Sequence, residues 1–480
     1  MRAESDQDML YIAFTNDIHS HFQAMGPISA LVEKLRVVHG SSLLLLDMGD
    51  HMDRAAMETE GTLGQANVDI LNLTGYDAIT IGNNEGLTFT PDMLKQAYAG
   101  LSCPVVCSNI REHATGSIPE WMSEEMIITR GGMTIGLIGA TASYPAFYAL
   151  LGLEALDPRV TIASGVRRLR SKVDLLMVMS HLGLPMDQEL AETIPGIDLI
   201  LGGHTHHLLE EPLVIGDTSI SAAGKFGQYM GLITVKRDGI TGKPVVVDGR
   251  CIPIGEGDGS ERIEKAIEIH KDAAYQRLNT GIAFTDRKLE LNYYRESPFG
   301  NLLAQGVRRA TDSEISLINS GQLLGELPQG EITLGLLHQL CPSPINPCRM
   351  LLRGEDILYT LEQSLLPEWT DKSITGFGFR GKVLGSICVD GMDILYDNSK
   401  EPYQRIIRAS IQGVPIQADQ QYTVGTLDMF TFGIGYERLK LGKEIIYLLP
   451  DFIRDLLRYE LQAPGALDNC LLTRWNVGEK

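Results

Sequence analysis

The chain has 480 residues, 44% hydrophobic and 21% charged, with 50 glycines and a formal net charge of −20. That length exceeds one ordinary core and predicts two or three domains. No stretch approaches the ~20 unbroken apolar residues of a membrane span, and the acidic surplus argues against a nucleic-acid polymer as partner.

In chain order, residues 1–8 are polar and acidic, without the basic and apolar regions of a signal peptide. With seven scattered cysteines, an odd number that fits reduced thiols, they predict a cytoplasmic protein. The run Tyr11-Ile12-Ala13-Phe14 predicts a strand ending at Asp17-Ile18-His19, and the apolar spacing over 28–38 a helix. Leu43-Leu44-Leu45-Leu46 runs into Asp47-Met48-Gly49-Asp50, and a helix over 66–73 precedes Ala78-Ile79-Thr80-Ile81 and then Gly82-Asn83-Asn84-Glu85. Val105-Val106 and 135–139 predict further strands, 175–179 a strand ending at Ser180-His181, and Leu199-Ile200-Leu201 one that breaks into Gly202-Gly203-His204-Thr205-His206. Residues 218–253, with a turn at Asp238-Gly239, read as antiparallel strands closing the domain. A helix beginning at Asp258-Gly259-Ser260 is the expected connector. Beyond Thr285 a helix over 301–310 and a strand at Ile315-Ser316-Leu317-Ile318 introduce a second α/β region.

Five strand-like runs therefore end in a good metal ligand: Asp17 with His19, Asp50, Asn83, His181, and His204 with His206. Parallel strands present their C-terminal ends on one edge, where open α/β sheets hold ligands. Nine of the eleven histidines precede residue 210, so the metal site belongs to the first half. Two cations close together need a shared carboxylate, for which Asp50 is the natural bridge. Nitrogen and oxygen ligands suit Mn²⁺, Zn²⁺ or Co²⁺, and the chemistry is two-metal hydrolysis: water acidified toward hydroxide attacks phosphorus.

Asp17-Ile18-His19, Gly49-Asp50-His51-Met52-Asp53, Gly82-Asn83-Asn84-Glu85, Ser180-His181 and Gly203-His204-Thr205-His206 resemble the ordered motifs of calcineurin-like metallophosphoesterases. Gly300-Asn301-Leu302-Leu303 and Asn319-Ser320-Gly321 resemble the C-terminal domain of bacterial 5'-nucleotidases. The resemblance implies a four-layer metallophosphoesterase domain (1–258) of two mixed sheets flanked by helices. A linker helix (259–285) and a C-terminal α/β substrate-binding domain (286–480) complete it. It also implies one metal held by Asp17, His19, Asp50 and His206, and a second by Asp50, Asn83, His181 and His204. The substrate-binding positions it implies are Asn319, Ser320, Gly321 and either Phe430 or Phe432, the last two as a base-stacking aromatic.

The chain departs from this pattern where the family carries a histidine and, three residues on, an aspartate. Asn84 and Leu87 stand there. Asn84 can donate a hydrogen bond to a phosphoryl oxygen but cannot deliver a proton, help typically worth about 10²–10⁴-fold. The expected function is hydrolysis of nucleotides or related small phosphate esters of the 5'-nucleotidase, 2',3'-cyclic phosphodiesterase or nucleotide pyrophosphatase type. The alternative is a catalytically weakened metal-containing protein that binds or senses a nucleotide. His21, His51 and His207 are candidate replacement donors, and Arg349, Arg353 and Arg380 candidate replacements for an arginine whose place is taken by Leu324.

Overall fold

The computed structural model describes residues 9–478 except 256 and 258. The expected helix start at Asp258 and the segment 1–8 therefore lie outside the described residues. The chain divides into two compact units, one up to Ala274 and the other from Tyr275.

In the first unit the strands are β1 (Met9–Thr15), β2 (Leu43–Asp47), β3 (Ala78–Ile79), β4 (Val105–Val106), β5 (Ile110–Glu112), β6 (Met122–Ser123), β7 (Glu125–Arg130) and β8 (Met133–Thr141). They continue with β9 (Leu153–Ala155), β10 (Leu175–His181), β11 (Leu199–Gly202), β12 (Leu213–Ile215), β13 (Thr218–Ser221), β14 (Tyr229–Arg237) and β15 (Pro244–Pro253). Seven form one sheet in the order β15-β14-β1-β2-β3-β4-β6, and six form a second in the order β12-β13-β11-β10-β8-β7. β1, β2 and β3 are parallel, as are β8, β10 and β11.

Successive side chains on a strand point to opposite faces, and the sequence uses both. Leu10, Ile12, Phe14, Leu44 and Leu46 share one core with Ile135, Leu137, Leu175, Met177, Met179, Leu199 and Leu201 of the other sheet. The alternate residues Ala13, Leu43 and Leu45 pack under helices on one outer face, and Leu176, Val178 and Ile200 under helices on the other. That is a four-layer α/β/β/α domain, and it explains why these strands read as unbroken apolar runs.

Three expectations need correction. The first helix spans Phe22–His39, six residues earlier than the periodicity from Ile28 implies, because burial of Phe22 and Met25 carries it through Gly26-Pro27. Within 218–253, β13 runs parallel to β11 on one side and antiparallel to β12 on the other, whereas β14 is antiparallel to both β1 and β15. The strand before Gly82 is only two residues long.

The helix Glu261–Leu278 lies against the first unit through the Arg262–Glu33 pair at 3.0 Å and His270 Nε2 at 2.9 Å from Asp69. At Gly61 a side chain would meet Ala274 Cβ at 2.5 Å, so glycine sets that approach.

The second unit is built on a five-stranded sheet, Ile387–Asp390, Ile315–Asn319, Gln421–Leu427, Pro347–Arg353 and Lys443–Tyr447 in spatial order. The helix Pro298–Thr311 buries Phe299, Leu302, Leu303 and Val307 in its core.

Candidate metal centre

The ligand-bearing loops leave the C-terminal ends of β1, β2 and β3 in one sheet and of β10 and β11 in the other, so two facing sheets, not one, supply the edge. The first two loops are tied by backbone bonds, Asp17 N–H to Gly49 O at 3.0 Å and His19 N–H to Asp50 O at 2.8 Å. The β3 loop crosses under them so closely that a Cβ on Gly82 would lie 2.0 Å from Asp50 Oδ1. Glu85 locks the crossing: its carboxylate accepts the N–H groups of Asp50, Met52 and Gly82 at 3.0, 2.7 and 2.8 Å. Burial and the nearby Asp50 charge push that carboxyl up to about 7.

Asp17, His19 and His206 form one group able to hold a metal, and Asp17, Asp50 and His181 another. His206 Nε2 is 3.4 Å and His19 Nε2 3.8 Å from Asp17 Oδ1, and the two imidazole nitrogens are 3.2 Å apart. His181 Nε2 sits 3.3 Å from Asp50 Oδ1 and 3.9 Å from Asp17 Oδ1. His204 completes the arc, its ring edge-on to His181 at 5.3 Å, with its backbone N–H on the Asp17 carboxylate. Asp17 is thus common to both groups, alongside the Asp50 that the resemblance makes the bridge.

Two buried atoms test whether the residues fit a cation. Asn83 Oδ1 and His181 Nε2 are both buried without a hydrogen bond, an arrangement native interiors avoid unless another partner is intended. His181 Nδ1 is 2.7 Å from Met48 O. A carbonyl there requires the proton on Nδ1 and leaves a lone pair on Nε2, the usual outer support of a metal-binding histidine. The electrostatics agree. Burial opposes charge on His181, yet the Asp50 and Asp17 carboxylates outweigh it and hold the imidazole up at about 10, so its Nε2 takes either a proton or a cation at this point. Burial would raise Asp17 and Asp50, but the histidines around them keep both below the ordinary carboxylate range. A buried anionic pair demanding positive charge is what a divalent ion satisfies. The donor set fits.

The backbone is strained here as nowhere else. Among the described residues other than glycine, more than half of those with positive φ lie in this one place: Asp17, His19, Ser20, Asp50, His204, His206 and Phe226. Outliers of this kind persist where the surroundings over-determine them.

Asn84 is not turned outward. Its backbone N–H donates to Asp50 Oδ1 at 2.8 Å and its amide nitrogen lies 2.7 Å from His19 Nδ1. His21 stacks on Phe226 at 3.9 Å, His51 is buried with Nδ1 near the Asn67 amide, and His207 is exposed beside Thr205. Sequence reasoning missed three neighbours. Phe226 faces the rings of His19 and His206, Tyr144 brings its hydroxyl to 3.4 Å from His204 Nε2, and Asp53 Oδ2 is 3.4 Å from His19 Nδ1. Asp53 lies inside a quoted motif and Tyr144 just beyond a predicted strand, so scanning every strand end would have put both among the candidates without saying which ring each faces. Beside His204 opens a groove of about 490 Å³ walled by Tyr144, Pro145, Ala155, Arg159, Leu182 and Met186.

In the second unit the expected binding residues separate. Asn319, Ser320 and Gly321 are interior. The Asn319 amide donates to Leu384 O and accepts from Gln322 Nε2, Ser320 Oγ donates to Tyr293 O, and a Cβ on Gly321 would strike Val383 O. Phe430 is fully buried against Tyr436, whereas Phe432 is 43% exposed and faces the exposed Phe377 at 5.9 Å. Arg353 pairs with Glu355, Arg380 donates to Phe379 O, and Arg349 lies on the strand Pro347–Arg353.

Residues 10–208 match the calcineurin-like phosphoesterase family and residues 276–440 the 5'-nucleotidase C-terminal domain. The chain belongs to the metallophosphoesterases of the 5'-nucleotidase family and is a hydrolase acting on phosphoric ester bonds. It is 33% identical to the metallophosphoesterase YunD of Bacillus subtilis (strain 168), over 95% of this chain and 99% of that one. With the 5'-nucleotidase of Rattus norvegicus it shares 23% identity over 86% of this chain and 81% of that one. In fold it is similar to the Haemophilus influenzae NAD nucleotidase (TM-score 0.70, 14% identity, 98% and 99% of the two chains). It is likewise similar to a 5'-nucleotidase precursor of Thermus thermophilus (TM-score 0.60, 21% identity, 98% and 100%). The family implies divalent metal ions, and no described helix is long and apolar enough to cross a membrane.

Proposed function

We propose that this chain is a cytoplasmic two-metal phosphoesterase that hydrolyses nucleotides or related small phosphate esters, with Mn²⁺, Zn²⁺ or Co²⁺ as its ions. The observation that carries the reading is the meeting of Asp17, His19, Asp50, His181 and His206 from two sheets, with the His181 Nε2 and, on the β3 loop, the Asn83 Oδ1 both buried without a hydrogen bond. In this reading Asp17, His19, Asp50 and His206 hold one ion, and Asp50, Asn83, His181 and His204 the other. Bound there, the pair supplies Lewis-acid neutralisation of the phosphoryl oxygens and lowers the pKa of water. The protein's part is to fix the ligand geometry, and the Met48 carbonyl, the Glu85 carboxylate and the Asn84 backbone N–H do so through their bonds to His181, the crossing loops and Asp50. Residues 1–258 carry this chemistry, 259–285 connect, and 286–480 form a substrate-binding domain, in which the exposed Phe432 and Phe377 offer ring faces to a base.

The side chains offer no proton donor where the family has one, which favours substrates whose leaving group needs little protonation: phosphoanhydrides and strained cyclic phosphodiesters over simple monophosphates. The Tyr144 groove beside His204 supports the same preference, having room for a second organic group. The test is a Mn²⁺-supported panel of monophosphates, cyclic phosphates, dinucleotides and nucleotide sugars, with Asp50→Asn as control. Turnover fastest on anhydrides or cyclic esters, abolished by the substitution and by chelator, is the expected result. No turnover on any of them, with tight nucleotide binding retained, replaces the enzyme with a sensor.

A further inference from the structure

Asp53 stands three residues beyond Asp50, only 4% exposed. Its carboxylate is fixed from behind. Oδ1 accepts the Ala55 N–H at 2.8 Å, and the Asp53 backbone N–H donates to Ser20 Oγ at 2.8 Å. Oδ2 is left facing His19 Nδ1 at 3.4 Å, while His19 Nε2 faces Asp17, Asp50 and His206.

An imidazole binds a metal only through a nitrogen that carries no proton, so with Nε2 as the donor the proton must sit on Nδ1. Among the described residues, two groups face Nδ1. The Asn84 amide nitrogen, 2.7 Å away, cannot accept a proton. It could bond only to a bare Nδ1, and that tautomer would place the hydrogen on Nε2 and spoil the ligand. Asn84 helps only by presenting its oxygen, whereas a carboxylate offers Nδ1 an acceptor oxygen whichever way it is turned.

We propose that Asp53 is a positioning residue for the metal centre: its carboxylate takes the Nδ1–H of His19 and thereby aims the Nε2 lone pair at the ion shared with Asp17 and His206. The inference rests on the two-metal reading above. Asp53 acts through His19 and does not touch the substrate. It belongs to the carboxylate–histidine–metal arrangement, whose outer carboxylate is worth about 10–100-fold in metal affinity.

The full chain, stripped by chelator, is titrated with Mn²⁺ by calorimetry as wild type, Asp53→Ala, Asp53→Asn and Asn84→Ala. Asp53→Ala is expected to weaken one of two ions by about 10–100-fold and leave the other unchanged. Asp53→Asn, which keeps an oxygen for the Ala55 N–H, should fall between it and wild type and guards against misfolding. Long-range ¹H–¹⁵N spectra of the Zn²⁺-loaded protein supply a second readout: His19 should be protonated at Nδ1, with that proton moving in Asp53→Asn. An Asp53→Ala protein that binds both ions like wild type, or weakening seen in Asn84→Ala alone, overturns the proposal. Wild type that takes up no Mn²⁺ overturns the two-metal reading as well, so the two failures are distinguishable.

Discussion

Gly82→Ala is the smallest change that should disable the centre. The added Cβ would lie 2.0 Å from Asp50 Oδ1, 2.5 Å from Asp50 N and 2.6 Å from Asp50 Cγ, against 3.4 Å for ordinary contact. None of these is the end of a flexible side chain. Asp50 is pinned by Glu85 on its own N–H and by the Asn84 N–H on its carboxylate. Relief therefore requires moving the carboxylate, the β3 loop, or both by about 1 Å. Overpacking of this kind costs about 1–3 kcal/mol of stability, and a misplacement of that size costs about 10²-fold in rate. Because Asp50 serves both ions in the proposed two-metal reading, both should weaken. The assay is paired: thermal melts of the chelated and Mn²⁺-loaded protein, and kcat/KM on the best substrate of the panel. A Gly82→Ala protein with wild-type metal affinity and activity would refute the crossing-loop account of why glycine stands there.

Chelation should lower the melting temperature and Mn²⁺ restore it, because an ion at 100 times its Kd stabilises by about 2.7 kcal/mol; melts at stepped Mn²⁺ concentrations measure this. Burial pushes the Asp428 carboxyl up to about 7, against hydrogen bonds from the Asn346 and Met429 N–H groups. A raised folded-state value means stability present below about pH 4 and lost as pH rises through 7. Asp428→Asn should flatten that segment by about 1–2 kcal/mol, allowing for partial exposure, as read from urea melts in chelator between pH 4 and 8. Phe430→Ala should cost about 3–5 kcal/mol in the same melts. Phe432→Ala should cost less than about 0.5 kcal/mol yet raise KM for base-bearing substrates about 10-fold, in line with base–aromatic stacking.

The strand ends were readable because five apolar runs each break into a polar residue, and the fold places Asp17, Asp50, Asn83, His181 and His204 at or just beyond the ends of strands. Which sheet each run joins was not readable, because an apolar strand buried on both faces looks the same in either layer. Gly26-Pro27 hid the start of the first helix, since local breakers say nothing of the burial gained by Phe22 and Met25. Asp53 and Tyr144 escaped because their roles depend on which ring nitrogen they face, a property of three-dimensional approach. Phe430 and Phe432 lie two apart where the chain turns between a short helix and a loop, so alternation could not tell the buried ring from the exposed one.

A left-handed backbone under a non-glycine residue costs roughly 1–2 kcal/mol, and Asp17, His19, Asp50, His204 and His206 all adopt it. Replacing any of them by glycine would relieve the backbone while removing a ligand. Mutation that favoured robustness alone would drift these loops toward glycine and silence the pocket. On the two-metal reading the carboxylates and imidazoles at these positions trade backbone ease for the ions they would hold, and a stability-driven redesign of this scaffold would delete that chemistry first.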